Sequence, residues 1–124
     1  IVVIRAPCEG EYAPDGIQTA YFQSEGPTSI DHPPAFTSAD KLELGDVFHH
    51  RNTLDWKRSQ LWLWEDDDDG LPHWKPIKVG CRRQDGRRLI LTKKRHNPSW
   101  VAKTQYSRRT VDSECTCCLN LLVV

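Results

Sequence analysis

The sequence predicts a small, mainly β domain, antiparallel and disulfide-stabilised. Three observations point there. Chain breakers recur too often in the first forty residues for a helix to run, and later segments alternate with a period of two or are apolar on both faces. Of the five cysteines, three fall within four residues at Cys115-Thr116-Cys117-Cys118. A chain of 124 residues fits one domain over 1–124, large enough for a modest core and small enough to gain from covalent staples.

The first part, 1–40, reads as loop-rich. Pro7, Gly10, Pro14, Gly16, Gly26, Pro27, Pro33 and Pro34 punctuate it, leaving two short strand candidates, Ile1–Arg5 and Gln18–Gln23. Asp31-His32-Pro33-Pro34 reads as an extended connection. Lys41-Leu42-Glu43-Leu44 alternates as a strand does, and Val47-Phe48 continues it past Gly45, where a bulge is expected. Thr53 to Gln60 has room for one helical turn. Gln60-Leu61-Trp62-Leu63-Trp64 is apolar on both faces, as a buried central strand is. Residues 77–106 predict a three-stranded antiparallel meander. Ile77 and Val79 alternate before Cys81, Asp85-Gly86 is a tight-turn signal, and Leu89-Ile90-Leu91 forms the second strand. Asn97-Pro98 turns the chain into the third, where Trp100, Ala102, Thr104 and Tyr106 share a face. Val111 and the cysteine segment give a last strand.

Charge and composition narrow the function. The formal net charge is zero, which argues against nucleic acid as a partner. The distribution is polar: residues 1–75 carry 14 acidic and 6 basic side chains, whereas residues 76–124 carry 3 and 11. The two halves either neutralise each other or leave a basic face for an acidic partner or a sulfated glycan. Arg82, Arg83, Arg87, Arg88, Lys93, Lys94 and Arg95 would build that face around one hairpin. No apolar stretch reaches the length of a membrane span, so membrane insertion is not expected. Methionine is absent, even at position 1, which suggests a processed or excised chain. Clustered cysteines in a small, tryptophan-rich, loop-rich domain favour secretion to an extracellular, oxidising compartment. Cys8, Cys81, Cys115, Cys117 and Cys118 are then the disulfide candidates, and their odd number leaves one for an intermolecular bridge or a free thiol.

Several chemistries are weighed and set aside. Glu65-Asp66-Asp67-Asp68-Asp69-Gly70 has the look of a calcium loop, but counting from Glu65 puts Pro76 at the twelfth position, where the EF-hand needs a bidentate Glu. A solvated acidic turn is the simpler reading. His49-His50 is the one histidine pair, and neighbouring side chains of a strand diverge. A mixed site of these with Cys115 and Cys117 is the alternative an intracellular protein would use. No cofactor or metal is expected. Nucleophile elbows, zinc-protease helices and phosphate loops are missing, so the chain does not read as an enzyme. Five tryptophans remain. Most belong in a core, but Trp74, between His73 and Lys75, is expected at a surface, where exposed tryptophan marks binding hot spots.

Residues 60–118 resemble the C-terminal half of the cystine-knot cytokines, nearest to the interleukin-17 family and the insect Spätzle and prothoracicotropic-hormone ligands. The shared features are Trp64, the acidic turn, Pro72 and Cys81 at a strand end. They continue with Leu89-Ile90-Leu91-Thr92-Lys93-Lys94, Trp100-Val101-Ala102 and the Cys-x-Cys of Cys115-Thr116-Cys117. Cys118 is an addition to that pattern, and a full knot needs six cysteines. The resemblance implies paired strands clipped by disulfides, dimerisation and binding to a cell-surface receptor. The reading is therefore a secreted cytokine-like ligand, binding a protein receptor as a homodimer. A secreted β-sandwich module or effector that binds protein or glycan is the alternative. Cys81 is expected to pair with Cys115 or Cys117, closing about 35 residues for roughly 3–4 kcal/mol in the chain-entropy account. Cys8 or Cys118, with the apolar edge Leu119 to Val124, would join two copies.

Overall fold

Seven strands and one short 3-10 turn make up the regular structure of the described residues. In this computed structural model those are residues 4–7, 19–37 and 40–102. They divide into two units, residues 4–7 with 19–76, and residues 77–102. The fold is mainly β, in two sheets.

The first sheet has the order β1-β2-β3-β4-β5, with β1 at Ile4–Pro7, β2 at Ala20–Gly26, β3 at Val47–Asn52, β4 at Gln60–Asp66 and β5 at Pro72–Ile77. β1 pairs antiparallel with β2, Ile4 opposite Gln23. Pro7 ends β1, a proline at a sheet edge, where a missing N–H is tolerated. Of the strand expected at Ile1–Arg5, Ile4 and Arg5 belong to β1 and residues 1–3 lie outside the described residues; the strand expected at Gln18–Gln23 is observed as Ala20–Gly26. β3 and β4 are antiparallel, Phe48 opposite Trp62. β4 lies between β3 and β5, the central position its two apolar faces predict: Leu61, Trp62 and Leu63 are all buried.

β2 and β3 run parallel, Phe22 opposite Phe48, in contrast to the antiparallel pairing expected. Parallel neighbours need a crossover of a dozen residues or more, usually a helix. Here the described residues of the crossover, 27–37 and 40–46, include no α-helix. Side chains pin it instead. Gln60 accepts from the Ile30 N–H at 2.8 Å and donates to the Ile30 carbonyl at 2.8 Å. The buried Asp46 carboxylate accepts from the Ala20 N–H at 3.0 Å and the Glu43 N–H at 3.0 Å.

That carboxylate also explains why Lys41–Leu44 is not the strand its alternation suggests. The chain turns there, with the Asp46 N–H donating back to the Glu43 carbonyl and Gly45 at φ 96°. Regular pairing starts only at Val47. The helical turn expected within Thr53–Gln60 is a single 3-10 turn, Trp56–Arg58, capped by Asp55, whose carboxylate accepts from the Lys57 N–H.

In the second unit β6 (Arg88–Leu91) and β7 (Pro98–Val101) form a two-stranded antiparallel sheet, Leu89 opposite Trp100. Leu89, Ile90, Trp100 and Val101 are buried. The strand expected to lead into Cys81 is reduced to one bridge, Arg82 opposite Arg88. A turn at Gly80, φ 94°, interrupts it, with the Cys81 N–H donating to the Lys78 carbonyl at 3.0 Å. Residues 103–106 of the expected third strand lie outside the described residues. The Asp85-Gly86 turn is where the sequence puts it, with Gly86 at φ 89° and its N–H bonded to the Arg83 carbonyl.

Candidate functional site: an aromatic cleft and an arginine pocket

Period-two alternation sets the first site. Phe22, Phe48 and Trp62 stand opposite one another on adjacent strands, so they share one face of the first sheet and form its aromatic core. Two residues further along β4, Trp64 lies on the same side. The crossover lays Phe36 against this face, edge-on to Phe22 at 4.7 Å and tilted on Trp74 at 5.5 Å. Trp74 in turn meets Phe48 at 5.9 Å and Trp64 at 5.1 Å. These centroid separations fall in the range of favourable aromatic pairs.

Phe36, Trp64 and Trp74 are only half-buried. Together with Pro33, Pro34 and Leu42 they wall a cleft of about 580 Å³, within the ~300–1,000 Å³ usual for ligand sites. Its rim carries His32 and Lys41, and no carboxylate lines it among the described residues. Trp74 therefore stands partly exposed in the cleft. Sequence reasoning did not single out Phe36, Trp64 or the Pro33-Pro34 wall as binding residues. The signal was the run His32-Pro33-Pro34-Ala35-Phe36, an extended stretch with an aromatic at its end, which by itself looks like a plain connection.

The second site lies on the β6–β7 unit, where the basic residues separate into three groups. Arg83 is buried, its guanidinium 4.9 Å from the centre of the Trp100 ring and paired two-pronged with Asp85, Nε to Oδ1 at 3.0 Å and Nη2 to Oδ2 at 2.6 Å. This ion pair, with the Arg87 N–H and the two nearby positive charges, holds the Asp85 carboxyl below the usual aspartate range against a smaller opposing effect of burial. Arg82, Arg87 and Arg88 line a pocket of about 380 Å³ with Asp85, Gly86 and Ala102. Lys93, Lys94 and Arg95 lie in the turn after β6, at the other end of the hairpin, and are exposed.

The remaining candidates are placed as follows. His49 and His50 are both buried and point to opposite faces, His49 toward Gln23 and His50 toward Ser24. No group of three or more His, Cys, Asp or Glu side chains gathers in metal-holding geometry among the described residues. The acidic run is a turn: Asp67 Oδ1 accepts from the Asp69 and Leu71 N–H groups at 2.8 and 2.9 Å, and Glu65 pairs with Lys75 at 3.3 Å. Cys81 is buried. Cys8, Cys115, Cys117 and Cys118 lie outside the described residues, as do the strand expected at Val111 and the apolar edge 119–124. No helix among the described residues is long and apolar enough to cross a membrane. Comparison with protein-family models, with curated proteins and with solved structures finds no match for this chain.

Proposed function

We propose that this chain works by binding, as a secreted ligand or module whose aromatic cleft takes up an apolar segment of a protein partner. The observation that carries the reading is the open cluster of Phe36, Trp64 and Trp74. Three large rings are held in place by the sheet and the crossover, yet each keeps part of its surface in solvent. Rigid aromatic surface costs little entropy to bury, and such residues dominate binding energy at interfaces. The rim adds Lys41 and His32 without a facing carboxylate among the described residues, so the partner segment is apolar at its centre and acidic at its flank. The cytokine-like form of this reading, a dimeric ligand for a cell-surface receptor, rests on the resemblance over residues 60–118.

The test is saturable binding of the fluorescently labelled chain to cells, with and without protease treatment of their surface. Trp74→Ala should weaken binding at least tenfold, the scale of a hot-spot residue. Lys41→Glu, a change at an exposed residue, should weaken it while leaving the melting curve in place. Trp56→Ala, a tryptophan 42% exposed on the 3-10 turn, should bind as the parent does. Binding that ignores Trp74 and Lys41 alike would overturn the assignment.

A further inference from the structure

The side chains of the aromatic cleft offer hydrogen-bond donors far more than acceptors. The indole N–H groups of Trp64 and Trp74 bond to no acceptor among the described residues, and both rings keep part of their surface in solvent. The Lys41 ammonium group, on the rim, takes part in no ion pair among the described residues. No Asp, Glu, Asn or Gln lines the cleft among the described residues. His32 Nδ1 lies 2.8 Å from the Pro33 carbonyl, which can only accept, so Nδ1 carries the hydrogen and Nε2 alone is left to accept in the neutral ring. The Thr37 hydroxyl donates to Asp40 at 3.2 Å.

That imbalance separates the occupants an aromatic cleft takes. An α-helix satisfies its own carbonyls, so it would cover the two indole N–H groups without supplying acceptors. A strand brings a backbone N–H with every carbonyl, adding donors to donors. Sugar hydroxyls donate as well as accept, and the cleft has no carboxylate or side-chain amide to receive them. A polyproline II segment differs from all three. It makes no internal hydrogen bonds, so its carbonyls are open, and its prolines carry no N–H. The length also fits. From Phe36 through Trp74 to Trp64 the ring centroids step by 5.5 and 5.1 Å. One polyproline II turn advances roughly 9.3 Å in three residues, so the row of rings faces about one turn.

We infer, given that the cleft is a peptide site, that the segment it takes up is proline-rich and in the polyproline II form, with an acidic residue beside Lys41. Trp64 and Trp74 donate their indole N–H groups to carbonyls of the segment. The faces of these rings and of Phe36 pack on its prolines, as aromatic-lined grooves do. A segment already extended in this form has little conformational freedom to lose on binding.

The test uses the full chain and three synthetic peptides that share an acidic flank. One repeats Pro-Pro-Leu, the second has alanine in place of proline and is helix-forming, and the third has valine there and is strand-forming. Binding is followed by tryptophan fluorescence and by the indole N–H signals in NMR. The proline peptide should bind saturably and about tenfold tighter than the other two, the scale of one buried donor left unpaired. It should shift the signals of Trp64 and Trp74 and leave that of Trp100 in place. Trp74→Phe and Trp64→Phe each keep a ring and lose the N–H, and each should weaken binding several-fold; the shifts in the parent protein need no variant to fold. Equal or tighter binding of the alanine or valine peptide, or binding of the proline peptide without shifts at Trp64 and Trp74, would overturn the inference. So would the same shifts produced by a glucan oligosaccharide or by raising the protein concentration alone, which assign the cleft to a sugar or to a second copy. If the alanine or valine peptide binds instead and Trp74→Ala abolishes it, the peptide cleft stands and only the polyproline form falls. If Trp74→Ala changes the binding of no peptide, both fall.

Discussion

Ser24 Oγ lies 2.7 Å from Nδ1 of His50, its direct neighbour across the parallel β2–β3 pair. Both residues are buried, at 1% and 3% exposure. The far nitrogen settles the tautomer. His50 Nε2 is 2.8 Å from the Thr28 carbonyl, which can only accept, so Nε2 carries the hydrogen. In the neutral ring Nδ1 then accepts from the Ser24 hydroxyl. One imidazole thus ties β2, β3 and the start of the crossover together, where the sheet departs from antiparallel pairing. Ser24→Ala leaves a buried acceptor unsatisfied and should cost about 1–3 kcal/mol, read as a lower urea midpoint with an unchanged slope. A midpoint equal to the parent's would show that the bond contributes nothing.

Two glycines separate backbone strain from crowding. Gly45 and Gly86 both occupy the left-handed region, at φ 96° and 89°. A Cβ at Gly86 would meet nothing within 4 Å, while one at Gly45 would sit 3.1 Å from Thr19 Cγ2. Gly86→Ala should cost about 1–2 kcal/mol from backbone conformation alone. Gly45→Ala should cost more, because the buried Thr19 must also give way. Thermal melts of the two variants check the order, and Gly86→Ala proving the worse would refute it.

Asp85 sets a pH dependence for the hairpin. Its folded pKa is depressed, first by the hydrogen bond from Arg83. A depressed carboxyl contributes stability that is present above its unfolded pKa and is lost as pH falls through the folded one. The loss therefore begins only below the ordinary aspartate value of about 3.9, and nothing from this group changes near neutrality. Asp85→Asn should remove that acid-side slope and leave the shape of the curve above about pH 5 as it is in the parent, as followed by melting temperature against pH. A slope on the acid side that is the same in parent and variant would assign it to other carboxylates.

The sequence was most readable where local chemistry decides. Gln60–Trp64 is apolar on both faces, and Leu61, Trp62 and Leu63, which alternate between them, are all buried. Asp85-Gly86 and Asp67 to Gly70 had turn residues with no competing role, and both are turns. Legibility failed where distant residues decide. The alternation of Lys41–Leu44 is real, but the Asp46 carboxylate draws the backbone into a turn that no local pattern announces. Parallel β2–β3 pairing depends on how residues 27–46 are anchored, and the anchor, Gln60, lies on another strand. The basic run could be counted but not oriented. The Trp100 ring and Asp85 hold Arg83 inward, while Arg82 stays at the pocket. Phe36 looked like a loop residue because its partners, Phe22, Phe48 and Trp74, come from three separate strands.

Selection from a library of random linear peptides on the immobilised chain, scored against the same selection on the Trp74→Ala variant, tests the aromatic cleft most directly. The partner itself need not be identified for this measurement. Peptides with an apolar or aromatic centre and an acidic flank are expected, enriched on the parent and on Trp56→Ala, and lost on Trp74→Ala and Lys41→Glu. Enrichment of the same peptides on Trp74→Ala as on the parent, or no enrichment on the parent at all, would contradict a binding role for the cleft.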